Sequence, residues 1–214
     1  MTNRPAGGAR SQRWPRDPHD WYKEPRAANR QLFDAIAKHF PMETDGIKDL
    51  IYDPCCGSGW VLDEAKERGY PTLGSDIIDR HPRHAFRRGN VLQMQTPPKP
   101  PAGRSLSIVT NPPYSYEDDI AEKIIRKVCT LPIRRAVFIL PIAFLAGQDR
   151  HRFFTKDFRP SHVGIYSQRH TMPPGAHIHE MAKPFEGGMQ DYCIIAYAGP
   201  RHNWRTETIW ISPS

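Results

Sequence analysis

The sequence predicts an α/β fold, a mainly parallel sheet with helices on both faces. Three observations predict it. Short apolar, β-branched runs alternate with amphipathic stretches of helical period over the first two-thirds of the chain. One early run ends in a glycine turn, Asp53-Pro54-Cys55-Cys56-Gly57-Ser58-Gly59, that opens a helix. A later run, Ser107-Ile108-Val109-Thr110, ends in Asn111-Pro112-Pro113-Tyr114, where prolines without N–H groups must stop a ladder. At 214 residues the chain fits one domain with a substantial core.

Taken in order, residues 1–16 offer little to bury and predict a disordered basic arm, ahead of a single domain over 17–214. The arm reads either as a solvated tail or as a contact to phosphates. Leu32, Phe33, Ile36 and Phe40 stand at helical spacing and predict a helix over 29–40. A strand over 49–52 runs into the glycine turn. Val61, Leu62 and Ala65 form the inner face of a helix over 60–68, which Gly69 stops. Further strands are predicted over 72–77 and near Asn90-Val91-Leu92, then a proline-rich loop over 96–101. The strand over 105–110 is followed by an amphipathic helix over 116–129, with Ile120, Ile124 and Val128 on one face. Strands over 135–140, 162–166 and 192–197 follow, with a short helix over 151–158 and an edge strand over 208–211.

A formal net charge of +7 favours a polyanionic partner, and a nucleic acid is the expectation. Four cysteines without CxxC or Cys/His metal spacing predict a reduced, cytoplasmic protein. The first residues lack the apolar core of a secretory signal. The longest apolar stretch, 136–146, is interrupted by Pro141 and falls short of the ~20 residues a membrane helix needs. No metal is expected, because His177-Ile178-His179-Glu180 lacks the spacing of a zinc site. The absence of GxxxxGK[ST] argues against nucleotide triphosphate hydrolysis. A monomer is the expectation.

The glycine turn lets backbone approach a ligand closely, and the helix behind it offers free N–H groups. Asp53 closes its strand, and Asp76 closes the next one about 20 residues later, the position that binds ribose hydroxyls. A third glycine is missing, and the acidic surroundings suit a ligand with a positive centre better than a pyrophosphate. S-adenosylmethionine, with its sulfonium and amino group, has that character. At the other strand end, an amide held beside an aromatic ring suits a planar substrate bearing an amine. Cys55 reads as a small packing residue of the turn.

With both motifs in view, the chain resembles class I S-adenosylmethionine-dependent methyltransferases, and among them the DNA adenine-N6 amino-methyltransferases, from Trp21 to the C-terminus. The resemblance implies a Rossmann-like fold, a mainly parallel seven-stranded sheet with an antiparallel strand near the C-terminus. It implies that Asp53, Pro54, Cys55, Gly57 and Gly59 hold the methionine part of the cofactor, that Asp76 takes the ribose hydroxyls and Asn90 the adenine amino group, and that Ile77 and Val91 belong to the same cofactor site. Trp21-Tyr22-Lys23-Glu24-Pro25 looks like the upstream motif that packs on the cofactor through Trp21, Tyr22 and Pro25. By the same resemblance, Asn111 and the Pro112 carbonyl accept the hydrogens of the target amine, Pro113 stiffens the turn and Tyr114 stacks on a flipped base. The motif order resembles the gamma arrangement, but no separate target-recognition domain fits. A loosely specific enzyme of phage or prophage type is therefore expected, with residues 169–190 as a substitute target loop. Arg150, Arg152, Arg169 and His177 are the expected nucleic-acid contacts. RNA amino groups and, less well, protein glutamine remain alternative substrates, and a non-catalytic nucleic-acid-binding module is the rival of another class.

Overall fold

The computed structural model describes residues 17, 19–114, 119–187, 190–198 and 205–213. The expected basic arm over 1–16 lies outside them, as do residues 115–118 at the expected start of the third helix and 188–189 in the expected target loop. Strands β1 (Leu50–Asp53), β2 (Thr72–Asp76), β3 (Ala85–Arg88), β4 (Leu106–Thr110), β5 (Arg135–Pro141), β6 (His162–Tyr166), β7 (Tyr192–Tyr197) and β8 (Glu207–Ile211) form one sheet. Its order is β8-β6-β7-β5-β4-β1-β2-β3. All neighbours are parallel except β7, which runs against both β5 and β6. The sheet thus has eight strands where seven were expected. The additional one is the anticipated edge strand, β8, which extends the sheet parallel to β6.

Helices α1 (Arg26–His39) and α2 (Trp60–Glu67) cover one face, and α3 (Ile120–Cys129) covers the other. A central strand in such a sheet is buried on both sides, so it reads as an unbroken apolar run. Val137 and Ile139 of β5 join the cluster under α1 and α2, while Ala136, Phe138 and Leu140 join the cluster under α3. The short helix expected at 151–158 appears as α4 (Gln148–Arg152), which passes into a π-helical turn, Phe153–Asp157.

One strand was misplaced by the sequence reading. The third strand is Ala85–Arg88, whereas Val91–Gln93 forms a single 3-10 turn capped by the Asn90 side chain. β3 pairs with β2 alone, and three of its four residues are exposed, so it carries no apolar run to find. A hairpin of two short strands, Glu43–Thr44 and Ile47–Lys48, was also missed. Its turn residues, Asp45 (φ 51°) and Gly46 (φ 75°), are the Asp-Gly pair such turns favour. No helix among the described residues is long and apolar enough to cross a membrane.

Candidate active site at the carboxyl ends of the central strands

The chain leaves β1 toward β2 on one side, while β4 lies on its other side, so the sheet reverses direction of build between β1 and β4. Open α/β sheets form their ligand crevice at that point, outside the carboxyl ends of the strands. Here a cleft of about 870 Å3, counting the open space at its mouth, lies there. The Thr110 hydroxyl donates to Asp53 Oδ1 at 2.6 Å and ties the two strand ends together.

The glycine turn is closed by side chains distant in sequence. Gly57 takes φ 51°, and a Cβ there would stand 2.7 Å from Trp21 Nε1, so only glycine admits the indole. Gly57 N–H donates to Asp76 Oδ2 at 2.9 Å. Asp76 Oδ1 accepts from Ile78 N–H and from Arg80, each at 3.1 Å. The Arg80 guanidinium lies 4.5 Å over the Trp21 ring and completes the circuit. Gly59 (φ 87°) caps α2 against Pro82 and His84 rather than facing the cleft.

The segment before α1 crosses this site and is pinned to the loop before β7. Lys23 N–H donates to the Pro173 carbonyl at 2.9 Å, Gly175 N–H donates to the Trp21 carbonyl at 2.8 Å, and Tyr22 bridges Pro174. Gly175 faces the Trp21 indole so closely that a Cβ would overlap it. Glu24, 7% exposed, accepts a hydrogen bond from Asn111 Nδ2 at the end of β4. Asn111 Oδ1 in turn accepts from the Tyr114 hydroxyl, which also approaches the Ile139 carbonyl at 3.2 Å.

Four carboxyls, Asp20, Glu24, Asp53 and Asp76, therefore line one crevice. Burial pushes the Asp53 carboxyl up to about 8, with Glu24 and Asp76 adding to the rise. The Thr110 and Cys55 hydrogen bonds offset part of it. Burial also raises Glu24, against which its bond from Asn111 works. A crevice of this kind favours a cation.

The structure brings together most of the residues singled out from the sequence. Trp21, Tyr22, Asp53, Pro54, Cys55, Gly57, Asp76, Ile77, Asn90, Val91, Asn111 and Pro113 all line the cleft. Pro25 instead caps α1, and Pro112 is buried. Asn90 Oδ1 already accepts from Leu92 N–H at 2.9 Å. Tyr114 departs from the expected stacking position. Its ring packs on both core clusters, 6.4 Å from Tyr192, with its hydroxyl on Asn111.

The four expected nucleic-acid contacts all stand beside acidic side chains of the chain itself. Arg150 is 13% exposed and is held by Asp119 at 3.0 Å and by Glu122, with its guanidinium 4.4 Å over Phe144. It is a structural ion pair between α3 and α4. Arg169 is chelated by Asp191 at 2.8 and 3.2 Å, and His177 Nδ1 sits 3.2 Å from Glu180. Arg152 is exposed and lies 3.6 Å from Asp157. The sequence reading missed Glu24 and Arg80 as site residues. Glu24 stood inside a quoted motif, but nothing local announced its partner on β4.

No protein-family model matches the chain, and no curated protein matches it by sequence. Solved structures do match. Magnesium protoporphyrin IX methyltransferase from Synechocystis PCC 6803, with bound S-adenosylmethionine, is 12% identical with a TM-score of 0.51, over 80% of this chain and 77% of that one. A candidate RNA methyltransferase from Pyrococcus horikoshii is 15% identical with a TM-score of 0.55, over 83% and 86%. The strand order, the crossed-over seventh strand and these neighbours agree: the chain has the α/β Rossmann-like methyltransferase fold, with its cleft at the carboxyl ends of β1, β2 and β4.

Proposed function

We propose that this chain transfers a methyl group from S-adenosylmethionine to the exocyclic N6 amine of adenine in DNA. The observation that carries the reading is the Asn111 amide, which lines the same cleft as the Asp53 and Asp76 carboxyls. The residues fit the cofactor in kind. The buried Asp53 carboxyl suits the cofactor's positive charge, and Ile77, Val91 and Leu92 offer an apolar wall for the adenine. Asp76 Oδ2 accepts one bond and keeps room for a ribose hydroxyl, and Arg80 must release Oδ1 for a second.

S-adenosylmethionine supplies an electrophilic methyl group on a sulfonium. An adenine amine is a poor nucleophile, because its lone pair is delocalised into the ring. Asn111 Oδ1, with one lone pair used by Tyr114, accepts one amine hydrogen through the other, and the Pro112 carbonyl accepts the second. That draws the nitrogen toward tetrahedral and frees its lone pair. Positioning of this sort contributes at most ~7–11 kcal/mol to the barrier. Tyr114 then acts by holding Asn111 rather than by stacking.

DNA is supported by the net positive charge and by where unpaired charge remains. Arg83 and Arg87, in and beside the β3 edge, are exposed and have no carboxylate partner among the described residues. A second reading, an RNA amino group, draws on the likeness to the candidate RNA methyltransferase. The test supplies tritium-methyl S-adenosylmethionine with adenine-containing DNA or RNA, followed by nucleoside analysis. Label in N6-methyldeoxyadenosine supports the proposal. Label confined to RNA transfers it to the second reading, and binding without any label points to a silent nucleic-acid module.

A further inference from the structure

Glu24 and Asn111 stand 87 residues apart in the chain, yet their side chains meet in the cleft. The meeting is built rather than incidental. Glu24 sits between Lys23, whose backbone is fixed to Pro173, and Pro25, which caps α1. Asn111 sits where the double proline forces the chain out of β4. The far end of its amide meets the Tyr114 hydroxyl, itself near the Ile139 carbonyl. The amide is thus gripped at both ends.

An asparagine amide can present either an acceptor or a donor, and the two faces have nearly the same shape. A carboxylate accepts only. Opposite Glu24, therefore, Asn111 can place only its NH2, and its oxygen must face the other way. Turned over, the amide would aim N–H groups at the substrate amine and repel it. We propose that Glu24 is a positioning residue for amine methylation, its carboxylate fixing Asn111 with the oxygen free to accept an amine hydrogen. This inference rests on the amino-methyltransferase reading above. Burial is the largest influence on the Glu24 carboxyl and raises it; the bond from Asn111 and the Lys23 charge work against that rise and favour the ionised form.

The test is a swap of polarity across the pair. Asn111→Asp alone puts two carboxyls face to face. Glu24→Gln added to it restores one donor facing one acceptor, and leaves the other Asp oxygen for the amine. Coupled pairs of this kind deviate from additivity by roughly tenfold or more. The four proteins are compared for kcat, for the KM of S-adenosylmethionine and for thermal midpoint. The expected result is a change of sign. E24Q lowers kcat in the wild-type background, where the glutamine amide leaves Asn111 free to turn over. In the N111D background it raises kcat by about tenfold or more, with the KM of S-adenosylmethionine nearly unchanged. A purely structural role would move the thermal midpoint without that reversal. Equal lowering of kcat in both backgrounds, with an active wild type, overturns the positioning role alone. A wild type that methylates no amine overturns the amino-methyltransferase reading, and the positioning role with it.

Discussion

Substituting Asp53 by asparagine isolates the electrostatic strain in the cleft. Asp53 is 2% exposed, and its carboxyl titrates at about 8 instead of 3.8, chiefly through burial. A raised carboxyl is protonated in the folded protein while the unfolded chain has already lost its proton. The stability it contributes is complete below about pH 4 and is lost as pH rises toward 8. A single group of this type gives a slope of at most about 1.4 kcal/mol per pH unit, and Glu24 works in the same direction. D53N removes the titration while an amide oxygen still accepts from the Thr110 hydroxyl and the Cys55 N–H. Urea unfolding of the ligand-free proteins from pH 5 to 8.5 measures the difference. The wild-type curve should fall more steeply than that of D53N, by up to about 1.4 kcal/mol per pH unit. Parallel curves, or a variant that loses stability faster toward pH 8, would refute the argument.

Other consequences follow from single contacts. S-adenosylmethionine should raise the thermal midpoint more at pH 8 than at pH 6, because its positive charge is then met by an ionised Asp53; an equal rise at both pH values contradicts this. R150A should cost about 1–3 kcal/mol in urea unfolding and leave DNA affinity unchanged, since Arg150 holds Asp119 and Glu122 rather than phosphate. G175A should drive the Trp21 indole off its seat and weaken S-adenosylmethionine binding by about tenfold, read by calorimetry. R83A and R87A should each reduce the slope of log affinity for DNA against log salt by about 0.9, and an unchanged slope removes the β3 edge from the interface.

The legible parts of this fold were those whose burial is written locally. β4 and β5 are buried on both faces and read as apolar runs, and α3 shows its inner face at every fourth residue. β3 was misread because an exposed edge strand, Ala-Phe-Arg-Arg, carries no such signature. The cleft residues of the glycine turn and of β4 were legible because strand ends and backbone chemistry place them. Their partners were not. Asp76 closes on Gly57 N–H, Glu24 reaches Asn111 across 87 residues, and Glu122 captures Arg150 across 28. Each pairing is a product of topology, and no local pattern announces it. Tyr114 turned inward for the same reason, since the Ile139 carbonyl that its hydroxyl approaches lies on the neighbouring strand.

The central claim is that the Asn111 oxygen activates an amine without holding the methyl donor. Single-turnover methyl transfer to adenine-containing DNA by N111A, alongside calorimetric titration with S-adenosylmethionine, tests it directly. Transfer should fall by about 100-fold or more, with donor affinity within about threefold of the wild type. Transfer at the wild-type rate, or a loss explained entirely by weaker donor binding, would contradict it.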